Sequence, residues 1–166
     1  MKLKYIVMFL VLFLCVAHSD APTITKNDNG LIAVLAPSSK VPRTEITCLA
    51  DNIYFEARGE PVAGQYAVAQ VTVNRFVNSN VDSICKIVYA RGSSVCQFSW
   101  TCSKTAVKNI PAYLQAVRIA KEFLVDGHEV PELQAAWYFH ADTVHPAWAD
   151  TKHKICKIGH HTFYHG

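Results

Sequence analysis

The sequence has 166 residues, of which 51% are apolar and 17% are charged. This apolar content excludes a disordered chain, because disordered chains lack the hydrophobic side chains needed to build a core. The length allows one ordinary domain, and the net charge of +3 argues against a nucleic-acid binder that depends on a strong positive field.

The first 19 residues have the three parts of a secretory signal. Two lysines precede an uninterrupted apolar run over residues 5–17, and small residues follow it. We expect cleavage after Ser19, with Ala17 or Ala21 as alternative sites, and therefore no permanent membrane span. The alternative is an uncleaved N-terminal anchor, although the apolar run is shorter than the ~20 residues of a transmembrane helix. Export would place the protein in the periplasm, in the cell wall or outside the cell.

Removal of this signal peptide changes the charge of the protein. The remaining chain has 14 Lys and Arg against 13 Asp and Glu, a net charge of +1. Residues 20–43 are rich in Pro, Ser, Asn, Asp, Thr and Lys, which predicts a linker with one short strand over residues 31–35. The sequence therefore predicts a single folded domain over residues 44–166.

The first helix of that domain is predicted to begin at Thr44, a favourable N-cap residue. Gly59 and Pro61 end it. Apolar residues at helical spacing form one face, which comprises Ile46, Leu49, Ala50, Ile53 and Ala57.

Three more helices are expected. Residues 64–76 predict the second helix and residues 83–90 a short third one. The fourth begins with Pro111 at its first position and ends at Gly127. Its predicted apolar face comprises Leu114, Val117, Ala120 and Leu124.

The C-terminal part of the chain is aromatic and β-branched, as strands are. Residues 135–140 and 155–164 are predicted to form strands. The fold class is therefore α+β, mostly helical, with a small antiparallel sheet.

Five cysteines follow the predicted signal peptide, and an exported protein meets conditions in which disulfides form. Because five is odd, one thiol is left over, and the count allows 15 pairings of the others. One bridge is expected among Cys85, Cys96 and Cys102, which are close in sequence.

Glu56 is the most interesting polar residue of the first helix. It falls near the end of the helix, beside Phe55 and off the main apolar face. A carboxyl group that is crowded by aromatic rings has a raised pKa and can act as a general acid near neutral pH. Glu60 follows the helix and is expected in solvent or paired with Arg58.

The sequence around Glu56 resembles the SleB-like cell wall hydrolases, the family of spore cortex-lytic enzymes. The most specific blocks are residues 48–61 (CLADNIYFEARGEP) and residues 64–75 (GQYAVAQVTVNR). Supporting blocks follow in the order of the family: residues 84–89, 97–100, 136–140, 146–148 and 157–163.

This resemblance implies a peptidoglycan-cleaving glycosidase with a lysozyme-like fold, related to lytic transglycosylases. It implies that Glu56 protonates the bond between N-acetylmuramic acid and N-acetylglucosamine. The same residue would then deprotonate the C6 hydroxyl of the sugar and leave a 1,6-anhydro end. The alternative is a muramidase that uses water, for which Glu60 is the second carboxylate.

Substrate contacts are expected from aromatic faces and polar side chains, because sugar clefts combine both. Trp100 and Trp148 are further aromatic candidates. The predicted substrate-binding residues are Tyr54, Gln97, Phe98, Tyr138, His140 and His161. Peptidoglycan glycan strands are the expected partner, with no nucleic acid, no cofactor and no metal, and the protein is expected to be a monomer.

Three other functions remain open. A late group of histidines suggests a metal site, although no zinc-ligand spacing is present; it comprises His140, His145, His153, His160 and His161. Cys48 and His161 suggest a cysteine peptidase or amidase. A wall-binding module without catalysis is the third alternative.

Overall fold

The computed structural model describes five stretches of the chain: residues 24–26, 32–34, 41–93, 95–103 and 105–166. The chain divides into two compact units, residues 1–39 and residues 40–166. In the first unit, strands β1 (Ile24–Lys26) and β2 (Ile32–Val34) pair antiparallel. The strand expected within residues 31–35 is thus confirmed, whereas the predicted signal peptide lies outside the described residues.

Helix α1 (Arg43–Ala57) begins before the predicted N-cap. Thr44 lies inside the helix, Pro42 precedes it, and no side chain caps it. The Thr44 prediction is therefore wrong, since the fixed φ of a proline can start a helix without a side-chain cap. All five residues of the predicted apolar face are buried, so the helical spacing was read correctly.

Two helices follow in the expected order. Helix α2 (Val62–Val77) begins directly after Pro61, slightly before the predicted start. Helix α3 (Ile84–Val88) is shorter than expected. The Ser83 hydroxyl caps α3 by accepting a hydrogen bond of 3.1 Å from the Cys85 N–H.

Helix α4 (Ile110–Leu124) buries a face slightly rotated from the predicted one: Ala120 is buried as predicted, and Val117 and Leu124 pack partly buried against the core. Leu114 is 62% exposed, which contradicts its place on the predicted apolar face. The buried residues of α4 are Ala116, Ile119, Ala120 and Phe123. Both sets have helical spacing, so the pattern alone was ambiguous, and packing against α1 selects the second set.

The C-terminal part forms a three-stranded antiparallel sheet. Its strands are β3 (Ala136–Ala141), β4 (Lys154–Ile158) and β5 (His161–His165), and β5 lies between the other two. The strand character predicted over residues 155–164 is therefore confirmed, but the segment forms two strands. Gly159 breaks it, because its φ of +58° gives the chain a conformation that other residues rarely adopt.

The hydrophobic core has two parts. In the larger one, α1 packs against α3 and α4 through fully buried residues such as Leu49, Ile53 and Ile119. In the smaller one, Val71 of α2 packs against Phe163 of β5. The α+β architecture with a small antiparallel sheet is thus confirmed, and α1 is the element that connects the core to the residues around Glu56.

Two disulfides stabilise this arrangement. Cys48 of α1 is bonded to Cys85 of α3, and Cys96 is bonded to Cys102. The expected bridge among three nearby cysteines is therefore confirmed by the Cys96–Cys102 pair, and Cys156 is the one free thiol among the described residues. Among the described residues, no helix has the length and apolar character required to cross a membrane.

Candidate active site

Glu56 lies in the last turn of α1, where its carboxyl group enters a cleft of about 320 Å³. The cleft walls come from α2, from the loop before α4 and from the sheet; they comprise Arg75, Gln97, Phe98, Ser99, Tyr138, Phe139 and Trp148. No side chain or amide of the described residues forms a hydrogen bond with the Glu56 carboxyl group. Burial therefore raises the pKa of Glu56 to about 7, against the opposing charge of Arg75. At this pKa the group can both give and accept a proton near neutral pH.

Arg75 of α2 is held beside Glu56. Its Nε donates a hydrogen bond of 2.7 Å to the Trp137 carbonyl oxygen. Its guanidinium lies 5.6 Å from the ring centre of Phe98 and 5.9 Å from that of Tyr138. Burial lowers the pKa of Arg75 to about 10, so the group remains a cation at neutral pH.

The Nη1 atom of Arg75 is buried and has no hydrogen-bond partner in the described part of the chain. A buried donor without an acceptor costs free energy. A polar group of a bound ligand would remove this cost. Arg75 was missed as a site residue by the sequence analysis, and its signal was its place at the end of the block over residues 64–75.

Three of the predicted substrate-binding residues line the same cleft as Glu56. Gln97 is exposed at the edge of the cleft, Phe98 is 4% exposed in its wall, and Tyr138 lines the opposite side. Trp148 also lines the cleft, 5.4 Å from Tyr138 between ring centres. The cleft therefore combines aromatic faces with polar tips, as carbohydrate sites do.

The two predicted histidine contacts do not line this cleft. His140 is engaged within the sheet, where Nε2 lies 2.9 Å from the Tyr164 hydroxyl and Nδ1 lies 2.9 Å from the Ala141 carbonyl oxygen. His161 is buried against Phe139, with 5.1 Å between the ring centres, and burial lowers its pKa. Both residues therefore support the wall from behind.

Glu60 was expected in solvent or paired with Arg58, and both expectations are wrong. Its Oε2 accepts a hydrogen bond of 2.8 Å from the His160 N–H, and its Oε1 lies 3.1 Å from the His160 Nδ1. The side chain is 10% exposed. Glu60 thus joins the loop between α1 and α2 to the turn between β4 and β5.

A second cleft, of about 560 Å³, lies on the other side of Phe55 and Arg58. Tyr54 lines this cleft rather than the one with Glu56, and its ring is 2% exposed. Its hydroxyl oxygen accepts hydrogen bonds of 3.1 and 3.0 Å from the N–H groups of Lys108 and Asn109. The Tyr54 hydroxyl is therefore occupied, although the residue does help to shape a wall.

The clefts adjoin one another through shared lining residues. The Glu56 cleft shares Arg75, Gln97 and Tyr138 with a neighbouring depression of about 280 Å³. On the other side, a shallow pocket that contains Glu56 shares Phe55 and Arg58 with the Tyr54 cleft. Glu56 therefore lines two of these adjoining pockets, and the set of pockets is called the groove.

Two of the alternative functions depend on a free cysteine nucleophile or on a metal site. The sulfur of Cys48 is bonded to Cys85, so the proposed nucleophile of a cysteine peptidase or amidase is not free. Within the described ranges, no group of three or more His, Cys, Asp or Glu side chains is arranged to hold a metal ion. Three of the late histidines instead contact other side chains: His140 contacts Tyr164, His145 contacts Asp150 at 2.8 Å, and His160 contacts Glu60.

Comparison with known proteins gives one family. The sequence profile of the family described as Cell Wall Hydrolase matches residues 59–164. A spore cortex-lytic enzyme of Oceanobacillus iheyensis is 33% identical over 135 residues, which cover 76% of this chain and 45% of that enzyme. The Bacillus subtilis spore cortex-lytic enzyme is 32% identical over 123 residues, covering 72% and 37%. The chain therefore matches less than half of the length of these relatives.

Two solved structures are similar. The catalytic domain of the germination-specific lytic transglycosylase SleB from Bacillus anthracis has a TM-score of 0.57 and 25% identity, covering 77% of this chain and 99% of that domain. The catalytic domain of the Bacillus cereus SleB protein has a TM-score of 0.56 and 26% identity, covering 76% and 94%. This similarity confirms the lysozyme-like fold that the sequence resemblance implied.

Proposed function

The chain belongs to the cell wall hydrolase family, and we propose that it cleaves the glycan strands of peptidoglycan between N-acetylmuramic acid and N-acetylglucosamine. The observation that carries this proposal is the state of Glu56. Its pKa of about 7 gives a protonated carboxyl group, in an aromatic groove, at the pH where a general acid is needed.

In the first step, the Glu56 carboxyl group donates its proton to the glycosidic oxygen. The bond between that oxygen and the anomeric carbon breaks, and positive charge develops on the sugar. The resulting Glu56 carboxylate lies within the electrostatic influence of Arg75, which favours the charged form. Arg75 therefore stabilises the Glu56 carboxylate that forms on proton transfer. Before that step, burial keeps the carboxyl group protonated, because its effect on the pKa is larger than that of Arg75.

In the second step, Glu56 acts as a base on the C6 hydroxyl of the muramic acid residue. The C6 oxygen bonds to the anomeric carbon, and the proton returns to Glu56. The product has a 1,6-anhydro end, and no water is consumed. One carboxyl group is sufficient for this route, whereas ordinary inverting or retaining glycosidases use two.

The position of Glu60 favours this route over hydrolysis. Among the described residues, Glu56 is the one acidic residue that lines the cleft of about 320 Å³, whereas Glu60 lines only the adjoining shallow pocket. Both Glu60 oxygens contact His160, so Glu60 is poorly placed to activate a water. This arrangement supports a lytic transglycosylase rather than a muramidase.

The walls of the groove have assignable roles in sugar binding. Tyr138 and Trp148 offer faces against which sugar rings can pack, whereas Phe98 is buried in the wall. Gln97 and the unpartnered Nη1 of Arg75 offer hydrogen-bond donors to hydroxyl and acetamido groups. Such a set can bind the hydroxyl and acetamido groups of a glycan backbone.

The substrate lies outside the cytoplasm, so the protein must reach it. We assign residues 1–19 as a secretory signal, residues 20–43 as a linker and residues 44–166 as the catalytic domain. The mature enzyme would act as a monomer on the wall, from the periplasm, from the wall itself or from outside the cell.

Digestion of purified peptidoglycan, followed by mass spectrometry of the products, tests this function. The wild-type protein should release anhydro-muropeptides, and Glu56→Gln should release none. Glu45→Gln provides a control for the loss of another α1 carboxylate. Products with reducing ends would assign a muramidase, and free peptides would assign an amidase. No cleavage by folded protein would overturn the enzyme assignment.

A further inference from the structure

We propose that the cleft beside Tyr54 binds a carboxylate of the substrate through Arg58 and Lys108, and so selects glycan strands that carry acidic substituents. This inference rests on the proposed function and concerns the second side of the same groove. The cleft is larger than the one that holds Glu56, and both cations line it.

Tyr54 positions both of these cations. Arg58 is one helical turn after Tyr54 on the chain, and its guanidinium lies 5.1 Å from the centre of the Tyr54 ring. On the other side, the Tyr54 hydroxyl accepts hydrogen bonds from the amides of Lys108 and Asn109. One buried ring thus holds the helix end that carries Arg58 and the loop that carries Lys108.

Neither cation is neutralised by the protein. Within the described residues, no carboxylate forms a salt bridge with Arg58 or Lys108, and no acidic side chain lines this cleft. The Asp51 carboxylate, also on α1, accepts hydrogen bonds from Tyr89 and Tyr113. The two positive charges therefore remain available to an anion from the substrate.

The cleft also has a surface for the sugar that would carry this anion. Phe55 stacks on Trp100 with 4.6 Å between ring centres and an angle of 25° between the planes. The Trp100 indole N–H is fixed by a hydrogen bond of 3.2 Å to Asn52. A flat aromatic surface beside two cations fits a sugar ring with an acidic substituent.

Peptidoglycan offers two sources of such a carboxylate. One is the stem peptide, which has free carboxylates along its length. The other is the lactyl group of muramic acid, whose carboxylate is free where the stem peptide has been removed. Both sources present the same chemical group to Arg58 and Lys108, and neither is present on a strand with neutralised carboxyl groups.

Three substrates separate these cases: intact peptidoglycan, peptidoglycan stripped of stem peptides by an amidase, and intact peptidoglycan with carboxyl groups converted to neutral methylamides. Cleavage rates are measured for the wild-type protein, for Arg58→Gln/Lys108→Gln, and for Arg58→Lys, which keeps the charge. Lys121→Gln is the matched control, since it removes an exposed cation of α4 that lies outside the cleft. Thermal unfolding checks that each variant is folded.

The wild type and Lys121→Gln should cleave at least one acidic substrate about fivefold faster than the neutral one, as two exposed ion pairs would produce. High salt should reduce this ratio. The ratio should fall to about one in the double variant and persist in Arg58→Lys. A preference for the intact substrate identifies the stem peptide, and a preference for the stripped one identifies the lactyl group.

Equal rates on acidic and neutral substrates, or a preference unchanged in the double variant, would overturn the inference while leaving the proposed function intact. If the wild-type protein cleaved none of the three substrates, the proposed function would be refuted instead. In that case, sedimentation of Glu56→Gln with intact and amidated peptidoglycan still tests the cleft, because binding without discrimination contradicts it.

Discussion

The Oδ1 atom of Asn52 accepts a hydrogen bond of 3.2 Å from the indole N–H of Trp100, one helical turn before Glu56. The Asn52 amide in turn donates a bond of 2.9 Å to the hydroxyl of Thr72 on α2. Asn52 is fully buried. Through these bonds, the helix that carries Glu56 also fixes an aromatic wall of the groove, so catalytic and binding groups share one rigid support.

Replacement of Trp100 by Phe tests this support. The ring can still stack on Phe55, but the Asn52 oxygen loses its donor, and a buried unsatisfied acceptor costs about 1–3 kcal/mol. We expect the free energy of unfolding, measured in urea, to fall by about this amount. Trp148→Phe is the control for ring size, since no hydrogen bond to the Trp148 indole is found among the described residues. Equal losses in both variants would contradict the role of the Asn52 bond.

The charge of Arg75 should be visible in the pH dependence of cleavage. Arg75 lowers the pKa of Glu56 against the larger effect of burial. Arg75→Gln should therefore move the alkaline limb of the pH–rate profile to higher pH. The maximal rate should fall about 100-fold, as for the loss of a donor that stabilises charge.

Lys152→Gln is the control for this shift. The Lys152 Nζ lies 4.3 Å from the Tyr138 ring centre, so the variant also removes a cation near the cleft. Unlike Arg75, however, Lys152 is not a cause of the pKa shift of Glu56. The alkaline limb of Lys152→Gln should remain in place. A limb that moves to lower pH in Arg75→Gln would show that Arg75 does not favour the Glu56 carboxylate.

Glu56 should also make the domain less stable as the pH rises. Its pKa is about 7 in the folded protein, against an ordinary value of 4.5. Between these values the folded state binds more protons than the unfolded state, so stability is fully present below the lower value and declines towards the higher one. The loss is up to about 3 kcal/mol.

Glu56→Gln should remove this decline, because the amide does not titrate. Unfolding curves recorded at intervals between pH 4.5 and 7 should diverge, with the variant more stable at pH 7. Parallel curves for the wild type and the variant would mean that the Glu56 carboxyl group titrates normally, and the general-acid assignment would lose its main support.

The helices in the first half of the domain were predictable because the spacing of apolar residues in a helix depends only on residues that are close in sequence. The apolar spacing of α1 placed Glu56 at the end of a helix, and the same pattern identified its buried face. Arg75 was not identified, because its role depends on α2 packing beside α1 and on a carbonyl oxygen from β3. No spacing within the sequence reports these contacts.

The sheet was less predictable. The register between β3 and β5 shifts between Ala136 and Tyr138, and this irregularity interrupts simple alternation of side chains. Tyr138 and Phe139 both line the cleft although they are neighbours in the strand, while His140 is held by Tyr164. A sequence shows which residues favour strands, but a bulge depends on the pairing of two distant segments.

The turn at Gly159 provides a prediction about the Glu60 contact. A Cβ at this position would collide with the Glu60 carboxylate and would approach the Pro61 Cδ to 2.9 Å, at a φ of +58°. Gly159→Ala should destabilise the domain by about 3 kcal/mol, from strain and steric overlap together.

Gly127→Ala measures the cost of backbone strain alone, without steric overlap. Gly127 has a φ of +70°, and its Cβ would meet no atom within 4 Å, so a cost of about 1 kcal/mol is expected. Adding Glu60→Ala to Gly159→Ala should recover part of the larger loss. Equal melting temperatures for Gly159→Ala and Gly127→Ala would show that the Glu60 contact contributes nothing to stability.

Removal of one disulfide should mainly lower stability, and removal of the other should mainly lower activity. The Cys48–Cys85 bridge spans 37 residues and the Cys96–Cys102 bridge spans 6. Loop-closure entropy predicts about 4 kcal/mol of stabilisation for the longer loop and about 2 kcal/mol for the shorter one. The shorter loop, however, carries Gln97 and Phe98 of the cleft.

Cys48→Ala/Cys85→Ala should therefore lower the melting temperature more than Cys96→Ala/Cys102→Ala. Activity below the melting transition should follow the opposite order, with a loss on the order of tenfold in the second pair, because small displacements of binding groups slow catalysis. Both variants are compared at the same fraction folded. If the Cys48–Cys85 variant lost more activity under these conditions, the loop over residues 96–102 would not be what positions the cleft wall.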